Sequence, residues 1–287
     1  MSAVIKIGYG PGIDSVAPSG GGGGGVTPTI FETTDAGQAG ISALTAMAPS
    51  DGQMGIIDAA GTPVMLEYDA TRVRWFRVFA SGGTIGQPYT ITDIEGYRLE
   101  TPGDAGWTET TAAGQLIDYD TTVPGAVAYQ TDGVSSTAWV TAKEDPIPAQ
   151  DDVQFIVIDD ANLGYVTTPA TGDWNAIYQM TVNVPSAKAL RIWAEGTTWR
   201  VGPSYAAGND TGINISDGAT IELYLVGGRL YVFEDFSAAP SVDISYTMNT
   251  SQATTGETTF ASIWLQDQDE ERTLSHTAVW FGQMEQS

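Results

Sequence analysis

Cysteine is absent from the 287 residues, so neither disulfides nor thiolate metal sites are open to this chain. Histidine occurs once, at His276, so any hydrolytic triad or imidazole metal centre would depend on a single ring. Lysine is confined to Lys6, Lys143 and Lys188, and 11 basic residues face 35 acidic ones, for a formal net charge of -24. Phosphate neutralisation needs clustered Lys and Arg, so no nucleic-acid partner is expected. No stretch approaches the roughly 18 consecutive apolar residues of a membrane-spanning helix. Met1 to Gly10 lacks the basic region and apolar run of a signal peptide, so neither membrane insertion nor an export signal is expected. The glycines Gly20 to Gly25 lack the following Lys-Ser/Thr of a phosphate loop, and no cofactor is expected.

What the chain has in quantity is glycine, at 34 residues, with many Thr, Ser and Asp, the composition of a turn-rich β protein. The clearest local signal is Asp217 to Phe233. Two alternating runs flank Gly227-Gly228, and both glycines can take the positive φ of a tight hairpin turn. That turn sets Leu225 opposite Leu230 and Leu223 opposite Val232, a core face. The other face carries Tyr224, Tyr231 and Phe233, apolar enough to be covered by another sheet or by a second subunit, and these three are the candidate subunit-interface residues.

In chain order, residues 1–34 read as an attachment arm with a Gly-rich linker, because six consecutive glycines bury too little surface to offset their ordering cost. A first β domain is expected over 35–145, opening with a short helix over 36–47 capped by Asp35. Asp145-Pro146-Ile147-Pro148 marks a boundary to a second β-sandwich domain over 146–240, and 241–287 forms a C-terminal β segment. The fold class is therefore mainly β: antiparallel sandwich modules with one short helix and a flexible arm. Leu66 to Trp75 and Leu190 to Trp199 echo each other, each reading as strand, turn and strand with a Trp on the return.

Little of the chemistry is specific. His276 lies in an expected strand, where a structural role outweighs catalysis. Carboxylates cluster at Asp151-Asp152, Asp159-Asp160 and Asp267 to Glu271; the last reads as a solvated turn before it reads as a calcium loop, and no metal site is expected. Glycoside cleavage needs two carboxylates facing one sugar with one kept protonated by burial, and acidic residues in Gly-rich turns argue against it. Most Trp residues belong in the core, whereas Trp107 and Trp174 sit in loop-like contexts and are the candidate surface contacts.

Two stretches carry a family resemblance. Ala43 to Asp58, followed by Leu66-Glu-Tyr-Asp-Ala-Thr71 and Trp75, resembles a helix, Ser-Asp-Gly turn and hairpin that recur in virion proteins of tailed bacteriophages. Thr181 to Pro185, Ile221 to Val226 and Leu230 to Val232 are similar to β-sandwich modules of phage fibres, spikes and head appendages. The resemblance implies a non-enzymatic virion subunit of the tail fibre or tail appendage, often trimeric, assembled in the host cytoplasm. Its N-terminal arm would join it to other virion proteins, and its β domains would face outward toward a host-surface glycan. A capsid decoration or head-fibre protein and a polysaccharide-degrading spike are the alternative expectations.

Overall fold

The computed structural model describes residues 30–59, 61–78, 91–98, 107–111, 116–119, 122, 126–131, 137–144, 153–165, 168, 176–182, 188–202, 208–246, 259–266 and 271–286. Residues 1–29 of the expected 1–34 arm, the prolines at 146 and 148, and residues 151, 152 and 267–270 lie outside them, while Phe31–Thr33 at the arm's end form a strand.

The first element is a small sheet. Strands β1 (Phe31–Thr33), β2 (Gln53–Ile57), β3 (Val64–Asp69) and β4 (Arg74–Arg77) line up in order, with helix α1 (Gly37–Ala46) between the first two. β1 and β2 run parallel because the helix returns the chain to the same end; the other pairs are antiparallel. The helix arises near the expected place, but Asp35 does not cap it: Ala36 is the N-cap and no side chain caps the terminus. Leu44 packs with Ile57, Leu66, Trp75 and Phe236 into a compact cluster.

The remaining strands form two larger sheets. They are β5 (Ile91–Arg98), β6 (Trp107–Thr111), β7 (Leu116–Tyr119), β8 (Val127–Gln130), β9 (Thr137–Glu144), β10 (Val153–Tyr165), β11 (Ala176–Val182), β12 (Lys188–Glu195), β13 (Thr198–Val201) and β14 (Asn209–Asn214). After these come β15 (Ala219–Val226), β16 (Arg229–Glu234), β17 (Val242–Ser245), β18 (Thr259–Gln266), β19 (Arg272–His276) and β20 (Ala278–Gln286). A seven-stranded antiparallel sheet runs β14-β13-β12-β11-β18-β9-β6. A nine-stranded sheet runs β17-β16-β15-β10-β19-β8-β7, with β20 and then β5 joined beside β10. Their inner faces meet in one large core that includes Ile156, Leu163, Tyr178, Ile192, Trp199, Leu223, Leu274 and Phe281. The molecule is thus an antiparallel β-sandwich, as the alternation predicts.

The sheets run across the divisions drawn at 145/146 and 240/241. β9 pairs with β18, and β5 pairs with β20, so strands from the two ends of the chain complete the same sandwich.

The predicted hairpin forms in the expected register. Leu225 stands opposite Leu230 and Leu223 opposite Val232, while Gly227 and Gly228 both take positive φ. The other face departs from expectation. Tyr224, Tyr231 and Phe233 are buried within the chain itself, in a cluster with Phe76, Val78, Phe155 and Trp280, because the N-terminal sheet lies on that side. They are not a free subunit interface. The docking of the small sheet satisfies the apolar area that suggested one.

Candidate functional site

The site follows from how β10 is built. Its thirteen residues pair with β20 over 153–159 and with β19 over 162–165, and its pairing with β15 slips between Ile158 and Ala161. There two residues, Asp159 and Asp160, stand against the single Thr220 of the partner strand, a β-bulge in which Asp160 adopts φ 53°. The partner strand breaks at the matching point, Thr277, between β19 and β20. The Thr277 amide donates to the carbonyl of Asp159 at 2.9 Å, and its hydroxyl donates to Asp160 Oδ2 at 2.7 Å.

This bend divides the outer face of the nine-stranded sheet. On one side lies the N-terminal sheet. On the other a cleft of about 580 Å³ opens. One wall is a row in register across four strands: Asn162 opposite Ser275, Ser275 opposite Ala128, and Ala128 opposite Asp118. The adjacent row, Leu163, Leu274, Tyr129 and Ile117, points the other way into the core, so the period of two places the polar row outward. Asp160, Thr277, Gly218 and Ala126 close the rim, and Tyr119, Val127 and His276 border it from the sheet's end.

The chemistry of the lining is uniform. Two carboxylates, an amide, two hydroxyls and a phenol supply acceptors and donors, and among the described residues no Lys or Arg lines the cleft. A ligand rich in hydroxyl groups and free of negative charge suits such a lining. Among the described residues no group of His, Asp and Glu is arranged to hold a metal ion.

His276 is a structural residue here. It is buried, its Nδ1 lies 3.2 Å from the Tyr178 hydroxyl, and it packs between the rings of Tyr129 and Tyr178. Burial pushes its pKa down to about 3, against an upward pull from Asp159, so the ring is neutral at pH 7. Its Nε2 has no hydrogen-bond partner among the described residues.

Of the sequence-predicted surface contacts, Trp107 begins strand β6 opposite Ala142 rather than occupying a loop, and Trp174 lies outside the described residues. Of the residues that form the cleft, only Asp160 and His276 drew notice in the sequence. Asp118, Asn162, Ser275 and Thr277 are short polar residues in strands, and what unites them is register across strands far apart in the chain.

No protein-family model and no curated protein matches the sequence. Among solved structures, the fold is similar to a sialidase at 12% identity and TM-score 0.41, covering 79% of this chain and 22% of that one. The chain therefore spans about a fifth of that protein's length. It is also similar to the carbohydrate recognition domain of Emp47p, at 11% identity and TM-score 0.41, over 68% of this chain and 93% of that one. A third likeness is to a carbohydrate esterase from Shiga toxin-encoding bacteriophage phi24B, at 9% identity and TM-score 0.40, over 67% and 99% of the two chains. At these values the likeness is one of sheet architecture.

Proposed function

We propose that this chain is a non-enzymatic, glycan-binding β-sandwich subunit of a tailed-bacteriophage virion, of the tail fibre or tail-appendage type. In this reading it is homo-oligomeric and held to other virion proteins by its N-terminal arm. The observation that carries the glycan assignment is the in-register row Asn162, Ser275, Ala128 and Asp118 facing a cleft that, among the described residues, no Lys or Arg lines. Side-chain amides, hydroxyls and carboxylates are the groups that replace water around a sugar's hydroxyls, and the small Ala128 leaves room for a ring between them. The virion assignment is supported by the resemblance of Ala43 to Asp58 and of the hairpin region to phage modules, and by a Cys-free composition suited to assembly in a reducing cytoplasm.

The test is to present the purified full chain to a panel of neutral oligosaccharides and of uronate oligosaccharides. Binding confined to neutral sugars, lost in Asn162→Ala and Asp118→Ala, with no new reducing ends released, is the expected result. Binding of uronates alone, or of nothing, overturns the glycan reading. Release of reducing ends would make the chain a degrading spike, with Asp118 and Asp160 as the carboxylates to examine. Labelling the chain in intact particles separates tail from capsid attachment, and its absence from particles overturns the virion reading.

A further inference from the structure

We infer that Arg74, a residue of the N-terminal sheet that does not line the cleft, positions the cleft's Asp160 by clamping its neighbour Asp159. The inference rests on the cleft being the binding site, and it makes the small sheet part of that site rather than a separate module.

The contacts form one chain of bonds. Arg74 meets both carboxylate oxygens of Asp159, with Nη2 donating to Oδ1 at 2.9 Å and Nη1 donating to Oδ2. Both side chains are mostly out of solvent. The guanidinium also lies 5.9 Å from the Phe76 ring centroid and 5.8 Å from that of Phe236, two rings that help to keep water from the pair. Thr220 donates to the same Asp159 Oδ1 at 3.3 Å, and Gln38 of α1 donates in turn to Thr220. On the far side of the residue, the Asp159 carbonyl takes the Thr277 amide, and the Thr277 hydroxyl holds Asp160 Oδ2. Asp160 has positive φ, a region that a residue with a Cβ keeps only when its surroundings over-determine it. Those surroundings come from two directions: Thr277 on the sandwich, and Arg74 with Gln38 on the small sheet and its helix. A two-pronged fork fixes the plane of a carboxylate, which a lysine ammonium cannot do.

Arg74→Lys, Thr220→Val and the charge-neutral pair Arg74→Met with Asp159→Asn test this in the full chain. The first readout is hydrogen exchange at the Thr277 amide, compared with amides of the β3–β4 ladder. The second is affinity for maltohexaose and tetra-N-acetylchitotetraose. Exchange at Thr277 is expected to speed up at least tenfold in Arg74→Lys with the β3–β4 amides unchanged. The affinity of whichever sugar the wild type binds is expected to fall at least tenfold. Unchanged Thr277 protection in Arg74→Lys and in the neutral pair overturns the inference, and so does a uniform rise in exchange everywhere, which would mean a purely structural role. If the Arg74 variants fail to fold, Thr220→Val, which removes one bond to Asp159, reads the same amide on a milder scale. A wild type that binds neither sugar counts against the glycan reading, while the exchange data still decide whether Arg74 holds the bulge.

Discussion

Arg77 donates to Glu222 Oε2 at 2.7 Å from the opposite side of the interface between the small sheet and the sandwich. Its guanidinium lies 3.7 Å from the ring centroid of Phe233. The same group donates to the Ser237 carbonyl at 3.1 Å, and Tyr224 supplies a second bond to the carboxylate, donating to Glu222 Oε1 at 3.1 Å. Both charged side chains are almost fully buried, at 4% and 1% exposure. Removing one partner strands a buried charge, so Arg77→Met should lower the unfolding free energy by about 3–5 kcal/mol. The double variant Arg77→Met with Glu222→Met should recover most of that loss, since an apolar pair of similar volume incurs no desolvation penalty. Urea denaturation of the two variants and the wild type measures this. Equal losses in the single and double variants would show that the pair's hydrogen bonds, rather than its buried charge, hold the sheets together.

His276 makes stability depend on pH with a definite sign. The folded protein holds the ring's pKa at about 3, chiefly through burial, while the unfolded chain titrates near 6.5. Below pH 6.5 the unfolded state therefore takes up a proton that the folded state refuses, and stability falls as pH drops toward 3. The loss should approach about 1.4 kcal/mol per pH unit, or about 2 kcal/mol between pH 6.5 and 5. Above about pH 7.5, where the unfolded ring too is neutral, it contributes almost no slope. Denaturation curves at pH 7.5, 6 and 5 for the wild type and His276→Gln isolate the effect, because the difference between the two proteins should shrink as the pH falls. A constant difference across that range would mean that the imidazole already shares its proton with solvent in the folded state.

The hairpin at Gly227-Gly228 was legible because its information is local: a turn that needs positive φ, flanked by alternation, allows one register, and that register is observed. Tyr224 and Phe233 show where locality ends. The sequence identifies a second apolar face but not its cover, which comes from Phe76 and Val78, more than a hundred residues away. Asp159-Asp160 stands out in the sequence only as one of three carboxylate clusters, and inside a continuous strand it is a bulge. Nothing near it in sequence predicts that Arg74 would reach it. The outward row fails for the same reason. Asp118, Ala128, Asn162 and Ser275 are ordinary residues singly, and only pairing across four strands aligns them.

Val73 is strained and exposed. It sits at the tip between β3 and β4 with φ 53° and 71% of its surface accessible. A β-branched side chain in this region clashes with its own backbone, whereas Asn adopts it readily. Val73→Asn should therefore stabilise the protein by about 1 kcal/mol, within the range that such outliers cost. Thermal or urea unfolding reads the gain. A loss instead would mean that the isopropyl group makes contacts worth more than its strain.

Gly55 lies where the helix and the small sheet close on each other. A Cβ there would come within 2.7 Å of Trp75 and 3.0 Å of Leu44. Trp75 is further held by its indole N–H, which donates to Thr45 Oγ1 at 3.1 Å, so it cannot swing aside without breaking that bond. Gly55→Ala should cost about 1–3 kcal/mol as an overpacked site. A loss of tryptophan emission shift on unfolding at lower urea would report it, and an unchanged midpoint would show that the helix moves to make room.

Ala128 offers a way to block the cleft without disturbing the core. Its neighbours Val127 and Tyr129 are buried in the sandwich, so alternation turns Ala128 outward between Ser275 and Asp118. Ala128→Trp should fill the space between these polar groups while leaving the inward row of Leu274, Tyr129 and Ile117 untouched. The melting temperature should stay within about 3 °C of the wild type, as for a surface change worth under 1 kcal/mol. Affinity for any bound neutral sugar should drop at least tenfold. Retained binding in this variant would move the sugar site off the four-strand row, to a part of the surface that Asn162 and Asp118 do not share.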